Sequence, residues 1–292
     1  MKLKKTIQNI LYPFEENKLN SFITSKVDLD DPTPIYVFFH IYAANHWKDI
    51  VSELMTDLRL SGLYERMIAL HVTVISHNNN DIKYIKEQIG EKGIINYVTT
   101  EPKEFEYPAL ELLHSFSKEK PSFYALYFHT KGSSNSKKTI HEYGPKARSL
   151  NKLIRLSTST RKFMSYWNIK RWKTAVSSLQ NGYSTYGCNY YYICDNTQFY
   201  GGNFWWAKSS YIAALPSFNE NKKKSRYYAE CWLLENSTAK IYNAYRVNCG
   251  ANGIEIPFNM YGGKGINKLY AVLIAYKNHM IYSIKKVYKR HH

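Results

Sequence analysis

The stretch with the most chemical content stands at the end of an apolar run. Phe123 to Phe128 reads as a strand, and His129-Thr130-Lys131-Gly132 breaks it with a ring nitrogen, a hydroxyl, a cation and a flexible joint. A lysine ammonium is a point charge that suits phosphate oxygens, and the neighbouring histidine and threonine can add hydrogen bonds. The plainer reading makes Lys131 surface charge and has His129 satisfy backbone at the strand end. A second unusual stretch, Gly201-Gly202-Asn203-Phe204-Trp205-Trp206-Ala207, lies far downstream and must fold back beside the first for the two to act together.

The elements that position these residues follow an alternating rhythm. Ile35–Phe39 is a first strand with His40 at its end. Asn45 then caps a helix whose Trp47, Ile50, Val51, Leu54 and Leu58 share one face, and Ser61-Gly62 stops it. Met67–Ile75 is a second strand, followed by a helix over 81–88, a short strand over 94–98 and a helix from Pro108 to about Lys118. With the strand at 123–128 this is the pattern of an α/β fold, a mostly parallel sheet covered by helices on both faces. In such a sheet ligands sit at the carboxyl ends of the strands, where His129 to Gly132 falls.

Beyond Gly132 the rhythm changes. Ser133 to Lys138 reads as a polar loop able to order over a ligand. Residues 146–180 read as helical, anchored by Leu150, Leu153, Ile154, Phe163, Trp167 and Trp172. A helix is expected over 209–215, and buried structure over 226–235. The division is a lead-in over 1–34, a catalytic-type domain over 35–255 and a basic amphipathic extension over 256–292, in which Leu269, Leu273, Tyr276, Met280, Ile284 and Val287 recur at helical spacing. That extension fits either an anionic bilayer or the flank of the domain.

The 292 residues carry 40 Lys and Arg against 23 Asp and Glu, a formal charge of +17, which favours anionic partners. Four cysteines without a C-x-x-C pair argue against structural zinc and point to a reducing compartment. No signal peptide or apolar spanning segment is read, so the expectation is a cytoplasmic protein, peripheral at most on the inner membrane face. Many aromatics fall in apolar runs, so no nucleic-acid partner is expected, although the charge keeps a nucleic-acid-binding protein as the rival reading.

Three motifs in order, Tyr127-Phe-His-Thr-Lys-Gly132, Gly202-Asn-Phe-Trp-Trp-Ala207 with Tyr211-Ile-x-x-Leu-Pro216, and Arg226-Tyr-Tyr-Ala-Glu230-x-Trp232, resemble a family of bacterial capsule and lipopolysaccharide-type glycosyltransferases across about residues 35 to 235. The resemblance implies a GT-A-like fold, a nucleotide-sugar donor and a glycan or lipid-linked acceptor. It puts His129 and Lys131 where typical GT-A enzymes keep an Asp-x-Asp metal motif, and Glu230 near the catalytic carboxylate. A histidine–lysine pair is a poor ligand set for Mg²⁺ or Mn²⁺. No metal ligands are therefore assigned and no required cofactor is expected, with the need for a divalent ion left open, and Lys131, with His129 or Thr130, takes the charge of the leaving diphosphate.

Glu230 is then the general base, with Asp195 as its rival, unless Glu230 is a buried partner of Arg226. Gly202 lets backbone approach the ligand or forms a bulge, Asn203 meets sugar hydroxyls, and Trp205 or Trp206 stacks on a sugar face while the other enters the core, unless both do. His40 and Tyr42 lie where such a fold receives the nucleotide base, unless His40 is a satisfied structural histidine. A catalytically inactive glycan-binding scaffold remains the third reading.

Overall fold

The computed structural model describes residues 14–120, 122–137, 140–143, 147, 151–192, 197–235, 238–247, 255–256, 258, 261–262 and 273. A short strand β1 (Phe14–Glu16) and helix α1 (Asn20–Ser25) open the chain. The alternating half follows: β2 (Ile35–Tyr42), α2 (Trp47–Leu60), α3 (Leu63–Arg66), β3 (Ala69–Ile75), α4 (Asn79–Ile89), β4 (Gly93–Thr99), a 3₁₀ turn (Pro102–Glu104), α5 (Tyr107–Glu119) and β5 (Tyr124–His129). Then come α6 (Ile140–Tyr143), α7 (Lys152–Ser165), a π-helical turn (Tyr166–Lys170) and α8 (Trp172–Gln180). Short pieces complete the chain: β6 (Thr185–Gly187), β7 (Tyr190–Tyr192), β8 (Gln198–Tyr200), β9 (Trp205–Lys208), α9 (Ser209–Ala213), α10 (Glu220–Lys223), α11 (Arg226–Cys231), a 3₁₀ turn (Trp232–Leu234), β10 (Ile241–Asn243) and β11 (Tyr245–Val247).

Seven strands form one mixed sheet in the order β10-β6-β9-β5-β2-β3-β4. Only β9 runs against the rest, pairing antiparallel with both β5 and β6. Side chains alternate between two cores as strand geometry requires. Val37, Phe39 and Ile41, with Leu126, Phe128 and Trp206, meet α2, α7 and α8 on one face. Phe38, Ala125, Tyr127, Trp205 and Ala207 meet α5, α9 and α11 on the other. Every residue of β3 and β5 is buried, which is why their sequences read as continuous apolar runs.

Several expectations change in detail. β2 continues through His40 to Tyr42, so His40 lies inside the strand. Asn45 does not cap α2: the cap position is His46, with no side-chain bond, and Asn45 takes a left-handed φ of 54° and reaches across to another loop. Leu153 is 61% exposed, on the outer side of α7. β4 is one of the sheet's two edge strands, and its Ile94, Tyr97 and Val98 are exposed. The lead-in is tied down where it is described: β1 pairs with β11, and Asn20 donates to the Ala244 carbonyl and accepts from the Tyr242 hydroxyl. Cys188 and Cys231 are free thiols. Nearly all of the basic extension over 256–292, including its proposed helical face, lies outside the described residues. Among the described residues no helix is long and apolar enough to cross a membrane.

Candidate active site

β3 and β4 lie on one side of β2 and β5 on the other, so the winding reverses between β2 and β5. Loops leaving the carboxyl ends of such a strand pair diverge and open a crevice. His40 and His129 stand side by side there in register, and the Thr130 amide donates to the His40 carbonyl at 3.1 Å. The Thr130 hydroxyl accepts from the Tyr42 amide at 2.9 Å, and Asn45 Nδ2 donates to the Ser133 carbonyl at 2.7 Å. These bonds stitch the two loops together.

The turn that carries Lys131 is held from below. Arg161 of α7, buried and paired through two nitrogens with Glu53 at 3.1 and 3.2 Å, donates to the Lys131 carbonyl at 2.9 Å. Gly132 has φ +95°, and a Cβ there would stand 2.7 Å from Ser157 Oγ. Asn135 donates to that same hydroxyl at 3.2 Å. The described part of the expected polar loop, 133–137, is therefore anchored at Ser133 and Asn135. Lys131 keeps a fixed backbone and a half-exposed side chain.

Beneath the turn lies a polar knot that sequence reasoning missed. Glu106, the residue before α5, is buried and accepts from the Tyr127 hydroxyl at 2.7 Å and from Asn203 Nδ2 at 2.6 Å. Its other oxygen is 3.5 Å from His129 Nδ1. The available signal was positional: a carboxylate just ahead of Tyr107-Pro108 at a helix start. Burial and the Glu106 carboxylate push the Tyr127 hydroxyl well above its ordinary range, so it stays a donor.

Both histidines are held neutral. Burial lowers His129 to about 3, with the Lys131 charge as the next cause, and burial lowers His40 to about 4 against the pull of Glu106. His129 Nε2 lies 3.0 Å from the Gly202 carbonyl, which can only accept, so Nε2 carries the proton and Nδ1 faces Glu106. That proton is spent on protein, and His129 ties β5 to the Gly202 turn. His40 Nδ1 shares a hydrogen bond with Thr73 Oγ1 at 3.0 Å. The charges of Lys131, Glu230 and Arg226 all act on the His129 ring, and Glu230 also acts on Tyr127. Glu230 is half-buried on α11, Arg226 is exposed and Tyr42 is half-buried at the end of β2. Asp195 lies outside the described residues. Among the described residues no three His, Cys, Asp or Glu side chains gather as a metal set, and the chain's one Asp-x-Asp, Asp28-Leu29-Asp30, is exposed before β2, at the opposite end of that strand from the crevice.

A family model covers residues 37–252, well over half of the chain. The chain belongs to that family, the Domain of unknown function (DUF8361). The matched span takes in the seven-stranded sheet except the first two residues of β2, both loops of the crevice, Glu106 and α11. No curated protein matches in sequence. Among solved structures, the crystal structure of 4-diphosphocytidyl-2C-methyl-D-erythritol synthase from Anaerococcus prevotii DSM 20548 aligns with 84% of this chain and 97% of its own at 10% identity. Its TM-score is 0.35, too low to bear on fold or activity.

In this member of the family the Gly202 motif is packed inward. Gly202 has φ +97°, and a Cβ on it would lie 2.3 Å from Met164 Sδ. One on Gly201 would meet Asn189 and Tyr191 at 2.6 Å, so both glycines answer to neighbouring side chains. Asn203, also at a left-handed φ, is buried, with Nδ2 on Glu106 and Oδ1 accepting from Trp205 Nε1 at 2.8 Å. Trp205 stacks obliquely on Tyr127, and Trp206 donates to the Asn168 carbonyl from the opposite core. Both tryptophans are thus core residues, and neither shows a face to solvent. Gly202→Ala is expected to destabilise the fold by about 1–3 kcal/mol through the unfavourable φ and the clash with Met164. A denaturant midpoint equal to that of the unaltered chain would show that the turn relaxes freely.

Proposed function

We propose that the chain is a GT-A-like, nucleotide-sugar-dependent glycosyltransferase that extends a glycan or a lipid-linked glycan in surface-polysaccharide synthesis, working in the cytoplasm at the membrane face. One observation supports this reading: a lysine stands on a turn fixed by Arg161 at the crevice where the sheet's winding reverses, and its charge and that of the half-buried Glu230 on α11 both act on His129. Of the three motifs that resemble polysaccharide glycosyltransferases, the first supplies the cation, Lys131, the third supplies the carboxylate, Glu230, and the second is packed inward beneath them.

In the proposed reaction, Lys131 neutralises the diphosphate as the bond from the anomeric carbon to the phosphate oxygen breaks. The acceptor hydroxyl oxygen forms the new bond from the opposite side, and Glu230 takes its proton, which gives inversion. Tyr42, at the rim, is the residue offered to the base. The knot of Glu106, Tyr127, Asn203 and His129 acts as scaffold, holding α5, β5 and the Gly202 turn at fixed spacing.

The test is a panel of nucleotide sugars assayed for hydrolysis and for transfer, with and without EDTA. The expected result is release of nucleoside diphosphate from at least one donor, undiminished by chelation, and a marked weakening of donor binding in Lys131→Ala. Complete loss of activity in EDTA with recovery on Mn²⁺ would replace the lysine by a cation. Failure of every donor to bind would reject the reading.

A further inference from the structure

A cleft of about 790 Å³ opens beside α5, away from the His129 turn. Its walls come from the end of β4, the 3₁₀ turn, the first turns of α5 and helix α10, and Tyr97, Phe105 and Tyr107 give it an aromatic side. Four glutamates and three lysines line it, leaving one negative charge in excess within a chain whose net charge is +17. That excess disfavours a nucleoside diphosphate or a phospholipid headgroup in this cleft.

A neutral polyhydroxyl ligand meets the opposite situation. Each sugar hydroxyl both donates and accepts, so it can share the remaining lone pairs of carboxylates that already have protein partners, Glu104 with Tyr97 and Thr99 and Glu111 with Lys223. The carbon-bound hydrogens of a pyranose can lie on an aromatic face. Tyr97, 43% exposed, offers such a face, with its hydroxyl fixed on Glu104 at 3.0 Å. Phe105 adds a separate observation: it has φ 50° and ψ −129°, a backbone state that costs a bulky residue about 1–3 kcal/mol and is kept where surrounding structure enforces it. That conformation sets the Phe105 ring at the cleft while sending Glu106, the next residue, into the buried knot.

One wall of the cleft is tied to α11. Tyr107 donates to the Ser225 carbonyl at 2.5 Å, and Ser225 is the cap of α11, the helix that carries Glu230. We propose that this cleft binds a neutral oligosaccharide. Its role as the acceptor rests on the transferase reading; its binding as a neutral glycan does not.

The experiment is capture of the full chain on an array of neutral, sialylated and sulfated glycans, repeated with Tyr97→Ala and Tyr97→Phe. The expected result is retention of neutral glycans, weakened at least tenfold by Tyr97→Ala and largely kept by Tyr97→Phe, which preserves the ring without its hydroxyl. A bare array, retention of acidic glycans alone, or equal capture by Tyr97→Ala and the unaltered chain would overturn the proposal. Nucleotide-sugar hydrolysis by the unaltered chain is the separate readout: glycan capture without it would leave the cleft standing and remove the transferase.

Discussion

Glu230→Gln is expected to lower sugar transfer by about 10²–10⁴-fold while donor affinity stays within about twofold. Glutamine keeps the volume and the hydrogen-bonding reach of the side chain but cannot take a proton. The loss should therefore fall on kcat, with little change in donor Kd measured by calorimetry. Glu230 is half-buried and its charge reaches Tyr127 and His129, so a purely structural role would appear instead as a lower unfolding midpoint with turnover per folded molecule intact. Turnover near that of the unaltered chain would remove Glu230 from the mechanism. Asp195→Asn, assayed beside it, separates the two carboxylates.

The second large effect is acid lability. In the unfolded chain His40 and His129 titrate near 6.5, whereas in the folded chain burial holds them at about 4 and about 3. The unfolded state therefore binds more protons as pH falls below 6.5. Stability is complete above that value and is lost toward the folded pKa values. The full loss is on the order of 3–5 kcal/mol for each histidine, comparable to a large share of a domain's net stability. Glu106 acts on His40, and Lys131, Glu230 and Arg226 act on His129; the two carboxylates and the Gly202 carbonyl that accepts from His129 oppose the effect. Thermal midpoints should be level from pH 7 to 8.5 and fall steeply between pH 6.5 and 4.5. His129→Gln, whose amide can still donate to the Gly202 carbonyl, should flatten the slope. A midpoint unchanged down to pH 5 would show that the rings are charged in the folded state.

The wound half of the fold was legible because its signals are local. Fully buried strands such as β3 and β5 announce themselves as apolar runs, and helices α2 and α5 by their stripes and by Pro108. The antiparallel insertion of β9 between β5 and β6 was not legible, because strand order depends on packing among segments far apart in the chain. The same limit governs the site. His129, Lys131 and Glu230 stood out as odd residues at element ends, but Glu106 looked like one more helix-start carboxylate until Tyr127, Asn203 and His129 closed around it. Composition also misdirects at the tryptophan pair, where adjacent rings fill two cores on opposite faces of one strand. Asn45 looked like a cap because short amides prefer that role, yet its left-handed backbone serves the loop of β5.

The most direct measurement is titration of the chain with a panel of nucleoside diphosphates and nucleotide sugars, in parallel with Lys131→Ala. The expected result is saturable binding of at least one nucleoside diphosphate, at least tenfold weaker in Lys131→Ala and equally strong in EDTA. Binding unaffected by loss of the lysine, or no binding to any member of the panel, would contradict it.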